Sequence, residues 1–214
     1  MDEPAHVDVT RRAYDTVAVD YERLLRGALD DAPADRAVLA LFAELVRSAG
    51  GGPVGDLGCG PGRLTGHLSA LGLDVFGIDL SPGMVEVARG LHPGLSFRVG
   101  SLRALDLVDG ELAGVLAWYS IIHTPPGELP IVCAEIARVL RPGGQLVVAF
   151  QAGDAVVQHE RAYGHDVRFD AHRLAPHAVE AVLRAVGLVV HTRVVRDAEG
   201  HETTPQAYLL ARRT

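Results

Sequence analysis

Closely spaced aspartates and glycines are the residues in this chain with most capacity for chemistry. In VGDLGCGPG, residues 54–62, Gly58, Gly60 and Gly62 alternate behind Asp56, and Asp79 follows Gly58 by 21 positions. Glycines at the end of a strand let a backbone approach a ligand closely, whether a phosphate, a dinucleotide or an adenosyl group. A Walker A loop would need a Gly-Lys-Ser/Thr ending, whereas Gly62 is followed by Arg63 and Leu64. A dinucleotide fingerprint would need its third glycine at position 63, to bring a helix N-terminus under a pyrophosphate. Arginine stands there instead. Asp56 would suit an ammonium group and repel a phosphate. Asp79 could accept from both hydroxyls of a ribose, a contact that NAD and adenosyl ligands share, so alone it does not separate the two.

His123 follows an apolar run at what reads as the carboxyl end of a strand, where open α/β folds place their sites. A neutral imidazole there is suited to take a proton from a hydroxyl or amine, which makes it the candidate general base; a structural or pocket-lining histidine is the alternative. Tyr14 and Tyr21 lie seven apart, on one face of a helix. His159, Tyr163, His165 and His172 fall in a polar segment with histidine spacings of six and seven, which gives no helical chelate and no zinc pattern. No metal is expected. Cys59 and Cys133 read as small packing residues, and Arg161 as an exposed arginine.

These residues must be positioned by alternating strands and helices. From residue 52 onward short apolar runs alternate with amphipathic stretches, the pattern of repeated βα units on a mostly parallel sheet. PVGDLG reads as the first strand, followed by a helix carrying Leu64, Leu68 and Leu71 and stopped by Gly72. LDVFGID is the second strand. Ser81 and Pro82 supply an N-cap and a first-turn proline for a helix whose Met84, Val87, Ala88 and Leu91 share a face. LSFRV, LAGVLAWYS and GGQLVVAF are strands three to five, with the helix LPIVCAEIARVL closed by RPGG before the last of them.

Residues 151–175 break this rhythm, as a functional loop or short extra elements over a site would. A glycine-stopped helix, PHAVEAVLRAVG, comes next. LVVHTRVV and QAYLLARR then flank the turn-rich RDAEGHETTP, short enough to pair the last two strands antiparallel. Residues 4–49 read as helical.

At 214 residues with a net charge of −7, the chain suits one domain and offers a polyanion little to grip, so nucleic acid is not expected as a partner. All 20 basic residues are arginine. Without lysine, Schiff-base chemistry and a P-loop lysine are closed to it. Two cysteines make no disulfide framework, MDEPAHVDVTRR carries no leader pattern, and no apolar run is long enough to span a bilayer. The expectation is a cytoplasmic protein with no membrane partner, monomer or homodimer.

Taken in order, VGDLGCGPG, VFGIDLSPGMVEVAR, LAGVLAWYSIIH and EIARVLRPGGQLVVAF resemble the successive motifs of the class I S-adenosylmethionine-dependent methyltransferases, and the resemblance runs over nearly the whole chain. It implies an α/β, Rossmann-like three-layer sandwich whose seven-stranded, mostly parallel sheet has its last strand antiparallel, with added N-terminal helices. The domain expected is residues 1–214, with 1–49 as a helical cap and 151–175 as an acceptor-side loop. The implied cofactor is S-adenosylmethionine, converted to S-adenosylhomocysteine, and the implied partner is a small-molecule acceptor methylated at O, N or C. On matching positions, Gly58 and Gly60 would admit the cofactor, Asp56 would sit near its amino group, Asp79 would hold the ribose, and Leu80 and Met84 would flank the adenine.

Two departures from the family pattern stand out. Ser101 replaces the frequent acidic residue after strand three, leaving its hydroxyl or the Leu102 backbone to meet the adenine, and Ala113 replaces a frequent aspartate before strand four. Tyr14 and Tyr21 are expected over the methionine end and Trp118 beside the cofactor. Tyr119, His159, Tyr163 and His165 are expected at the acceptor. Two other readings stay open: a protein that binds the cofactor without methylating, and an NAD-dependent oxidoreductase on a related fold.

Overall fold

The computed structural model describes residues 3–200 and 202–214; Met1 and Asp2 of the leading stretch, and His201 of the link between the last two strands, lie outside the described residues. β4 (Leu112–Trp118) is buried along its whole length and carries no polar side chain, as expected of a parallel strand covered on both faces. β1 (Val54–Leu57) and β5 (Leu140–Gln151) lie either side of it, both parallel to it. β2 (Val75–Asp79) and β3 (Phe97–Val99) extend one wing, and β9 (Gln206–Arg213) and β8 (Leu188–Arg196) the other. The order is β3-β2-β1-β4-β5-β9-β8, and β9 runs antiparallel to both its neighbours. This is the sheet expected from the sequence.

Alternation along the strands sorts the helices into two layers. Val115, Ala117, Leu146 and Val148 pack under α5 (Leu129–Val139) and α6 (Pro176–Ala185). Leu116 and Val147 face the other way, onto α2 (Pro33–Ser48) and α3 (Arg63–Ala70). Because the sheet order reverses between β1 and β4, their carboxyl ends open a crevice, the place where such sheets bind ligands. The VGDLGCGPG loop leaves β1 there, and Tyr119 to His123 leave β4.

α4 (Pro82–Leu91) begins as the sequence predicts, with Ser81 Oγ accepting from Met84 N at 3.0 Å. Its buried face differs: Met84, Val85 and Ala88 go inward, while Leu91 is 47% exposed and Val87 only half-buried. The helix leans Val85 onto Cys59 and Phe97, which rotates the apolar stripe by one residue. RPGG does not form a loop closing α5; it is the irregular start of β5, whose pairing with β4 shifts register between Leu112 and Gly114.

α1 (Ala5–Leu25) crosses the crevice as a roof. Asp15 Oδ1 accepts from Ser81 Oγ at 2.5 Å and from Gly83 N at 2.9 Å, so α1 caps α4 with a second acceptor. A side chain at Gly83 would meet the Asp15 backbone at 3.2 Å, so glycine is what allows this approach. The segment 151–175 holds a two-stranded hairpin, β6 (Val156–His159) and β7 (Phe169–His172), whose Phe169 joins Ala13, Val17 and Met84 in a small core under the roof.

Candidate functional site

The crevice is a cleft with about 830 Å³ of non-atom space, its open mouth included. At its inner end Gly58, with φ +80°, passes so close to β4 that a side chain there would overlap Ser120 Cβ. Ser120 Oγ is buried without a hydrogen-bond partner and lines the cleft. An orphaned buried hydroxyl costs free energy unless a ligand or water completes it.

Asp79, 8% exposed, ends β2 at the cleft wall, with Oδ2 accepting from Gly60 N at 2.7 Å and Oδ1 from Ser81 N at 2.9 Å. Two backbone donors thus orient the carboxylate, and each oxygen keeps a lone pair for a further donor. Burial pushes its carboxyl up to about 6 against these hydrogen bonds. Leu80, Met84, Ser101 and Leu102 complete this end, and Trp118 lies across it with its ring 5.2 Å from Tyr208. The arrangement accepts a ribose diol at Asp79 and a flat apolar group beside Leu80 and Met84. An adenosyl ligand therefore fits.

Asp56 does not reach the cleft wall. It is 1% exposed, and its Oδ2 accepts the Thr65 hydroxyl at 2.7 Å, so the expected place beside an amino group is replaced by one beneath the loop. There it ties β1 to the first turn of α3. Burial raises its carboxyl to about 7.

At the outer end, His123 and Tyr14 form one unit. His123 Nδ1 lies 3.1 Å from the Asp170 carbonyl, which can only accept, so Nδ1 carries the proton and Nε2 accepts from the Tyr14 hydroxyl at 2.9 Å. Burial lowers the imidazole to about 4 and raises the Tyr14 hydroxyl well above its usual range. Both are neutral at physiological pH. Tyr21 lines the cleft between Tyr14 and the glycine loop, its ring 6.0 Å from that of Tyr14.

The cleft therefore gathers Tyr14, Tyr21, Gly58, Gly60, Asp79, Leu80, Met84, Ser101, Leu102, Trp118, Tyr119 and His123 from the residues singled out in sequence. Three acceptor candidates fall outside it. His165 Nε2 binds Asp20 of α1 at 2.8 Å, Tyr163 packs on Tyr21 at 4.8 Å, and His159 stacks on Phe169 at 4.7 Å. His165 and Tyr163 fasten the hairpin to the roof, and His159 packs within the hairpin. Tyr119 reaches the wall, but its hydroxyl donates to Gln206 at 2.7 Å, so it presents a ring and not a free donor. Among the described residues no group of three His, Cys, Asp or Glu side chains could hold a metal. His6, Thr10, Arg11, Arg103, Ser120 and Thr124 line the cleft without having been singled out. Only Ser120 carried a local signal, standing just past the strand that pairs with the glycine-loop strand.

A family model described as a methyltransferase domain matches residues 54–144. The chain is 35% identical over 118 residues to an uncharacterized methyltransferase of Mycobacterium tuberculosis, covering 54% of this chain and 46% of the relative. It is 31% identical over 160 residues to a demethylmenaquinone methyltransferase of Beutenbergia cavernae, covering 73% and 60%. The chain spans about half the length of the curated relatives it matches. Among solved structures, the magnesium protoporphyrin IX methyltransferase of Synechocystis shares the fold with a TM-score of 0.73 at 17% identity, each chain covered in full. The 1,6-didemethyltoxoflavin N1-methyltransferase of Burkholderia thailandensis does so with a TM-score of 0.70 at 20% identity, over 100% of this chain and 93% of that one. No helix among the described residues is long and apolar enough to cross a membrane.

Proposed function

Because the chain belongs to the class I S-adenosylmethionine-dependent methyltransferases, we propose that it methylates a small-molecule acceptor at O, N or C and leaves S-adenosylhomocysteine. The observation that carries this reading is Asp79, a carboxylate aimed by two backbone donors into a roofed cleft beside Gly58 and Gly60. When bound, the cofactor supplies a methyl group on a sulfonium, open to in-line displacement. The protein's part is to align, to exclude water and to handle one proton.

In this reading Asp79 accepts both ribose hydroxyls, Leu80 and Met84 sandwich the adenine, and Ser101 or the Leu102 backbone meets its amino group. Ser120 Oγ completes its hydrogen bonding at the methionine end, with Tyr21 above it. Trp118 walls the cofactor side. Tyr119 offers its ring to the acceptor. The α1 roof and the hairpin shut water out, which favours a small acceptor over a polymer; the names of the quinone and toxoflavin enzymes above support the same class. A cytoplasmic setting agrees with two buried, unpaired cysteines, Cys59 and Cys133.

The proton path follows from the tautomer of His123. An acceptor hydroxyl or amine beside Tyr14 would pass its proton to the Tyr14 oxygen as Tyr14 hands its own to Nε2. Tyr14→Phe and His123→Ala should each lower kcat by about a hundredfold, the usual worth of a positioned acid-base group. Affinity for S-adenosylhomocysteine, measured by calorimetry, should stay within about threefold. Unchanged kcat in both variants would remove the pair from the chemistry.

Asp79 also sets a pH dependence. Its carboxyl, raised to about 6, must be ionised to accept from the ribose, so affinity falls as pH drops through that value. S-adenosylhomocysteine should bind about tenfold more weakly at pH 5 than at pH 7.5. The free protein should behave oppositely. Folded-state values raised for Asp56 and Asp79 mean that their contribution to stability is present below the ordinary carboxyl range and is lost as pH rises to about 7.

The direct experiment is transfer of label from methyl-labelled S-adenosylmethionine into a deproteinised metabolite extract, beside samples of bulk protein and RNA. Label confined to the metabolites supports the proposal. Label in RNA or protein would overturn the choice of acceptor, and cofactor binding without any label would favour a non-methylating use.

A further inference from the structure

Tyr119 is held in a conformation that its residue type disfavours. Its φ is +52°, and among the described residues only Tyr163 shares a positive φ without being glycine. For an aromatic residue a left-handed backbone persists only where the surroundings enforce it, and such residues gather at functional sites. Two tethers enforce it here. Tyr119 N donates to the Ala149 carbonyl at 2.9 Å, which carries the pairing of β4 with β5 one bond further. At the other end the hydroxyl donates to Gln206 Oε1 at 2.7 Å.

Gln206 is itself held in place. It is 3% exposed, its backbone pairs with Gln151 of β5 on one side and Arg196 of β8 on the other, and its Nε2 donates to the Thr204 carbonyl at 2.8 Å. That donation sets the amide's orientation and turns Oε1 to Tyr119. Burial keeps the Tyr119 hydroxyl above its usual range, so it stays a donor. Gln206 stands behind the cleft wall, whereas Tyr119 and Ser120 are part of it.

What the left-handed turn places is the next residue. Ser120 sits directly against Gly58, and its buried Oγ has no partner. Beyond it Ile121 and Ile122 are packed into the core, so a Tyr119 that relaxed to an ordinary φ would pass the displacement to Ser120. We infer that Gln206 is a positioning residue for the cofactor: through the Tyr119 hydroxyl it holds the turn that aims Ser120 Oγ at the methionine end. The inference rests on the methyl-transfer reading, which puts that end beside Ser120.

The test titrates the full chain by calorimetry with S-adenosylhomocysteine and with methylthioadenosine, which has the same nucleoside and lacks the amino-acid end. The ratio of the two affinities is the readout. Gln206→Met, which fills similar space without a comparable acceptor, and Tyr119→Phe should each weaken S-adenosylhomocysteine about fivefold, the effect of one neutral hydrogen bond, and leave methylthioadenosine within about twofold. Combining them should add nothing, because both cut one tether. Ser120→Ala should show the same loss and make S-adenosylhomocysteine affinity indifferent to Gln206→Met. Gln206→Glu still offers an acceptor to Tyr119 and should keep the wild-type ratio. Melting temperatures, taken in parallel, record stability alone; a merely structural glutamine would lower them without moving the ratio. Should Gln206→Met fail to fold, Tyr119→Phe cuts the tether from the other end and decides. An unchanged ratio in the folded variants overturns the inference, as does an equal loss for both probes. Wild-type protein that binds neither probe removes the methyl-transfer reading, and the inference with it.

Discussion

Asp79→Ala should weaken S-adenosylhomocysteine binding by about a hundredfold or more, because two charge-assisted hydrogen bonds to the ribose are lost at about 1.5–3 kcal/mol each. It also leaves Gly60 N and Ser81 N without the oxygens that now satisfy them. Asp79→Asn separates the two effects. The amide keeps an acceptor for one of those backbone donors, turns its NH2 toward the other, and removes a buried charge whose ionisation opposes folding above about pH 6. At pH 8 Asp79→Asn should therefore melt above Asp79→Ala while still binding S-adenosylhomocysteine far more weakly than wild type. Calorimetric affinity within threefold of wild type in both variants would mean that the ligand is not held at the ribose position.

The second large effect is expected at Gly58. Gly58→Ala forces a left-handed backbone on a residue with a side chain, at about 1–2 kcal/mol, and drives that methyl group into Ser120. Overpacking of this kind adds about 1–3 kcal/mol. A fall in Tm of about 10 °C follows, on the scale of 2–4 °C per kcal/mol for a chain of this size. Because the displaced wall is the one that lines the cleft, S-adenosylhomocysteine binding should be lost as well. Adding Ser120→Gly to Gly58→Ala should recover part of the stability by removing the obstructing Cβ, although the backbone strain remains. A double variant no more stable than Gly58→Ala would locate the penalty in the loop alone.

The cofactor end was legible because its requirements are local. Close backbone approach writes itself as alternating glycines, and a carboxylate at a strand end has a fixed distance from them, so Gly58, Gly60 and Asp79 could be placed from spacing alone. The βα rhythm pointed to a mostly parallel sheet for the same reason, while the strand order came only from the fold. Asp56 shows where local reading stops: its partner Thr65 is nine residues away and hidden, and burial turned a presumed ligand contact into a brace for the loop. The histidines of residues 151–175 were misjudged as acceptor groups because composition cannot tell a pocket from a seam. His165 meets Asp20 across 145 positions, a pairing that no spacing encodes.

The roof that α1 makes also concerns time. α1 is fastened to the body by the polar contacts of Asp15 at the start of α4, Tyr14 at His123 and Asp20 at the hairpin. A spent ligand leaves by the open mouth of the cleft, and the roof helix sets how wide that mouth is. Loosening Asp15 should then quicken release even as it weakens grip.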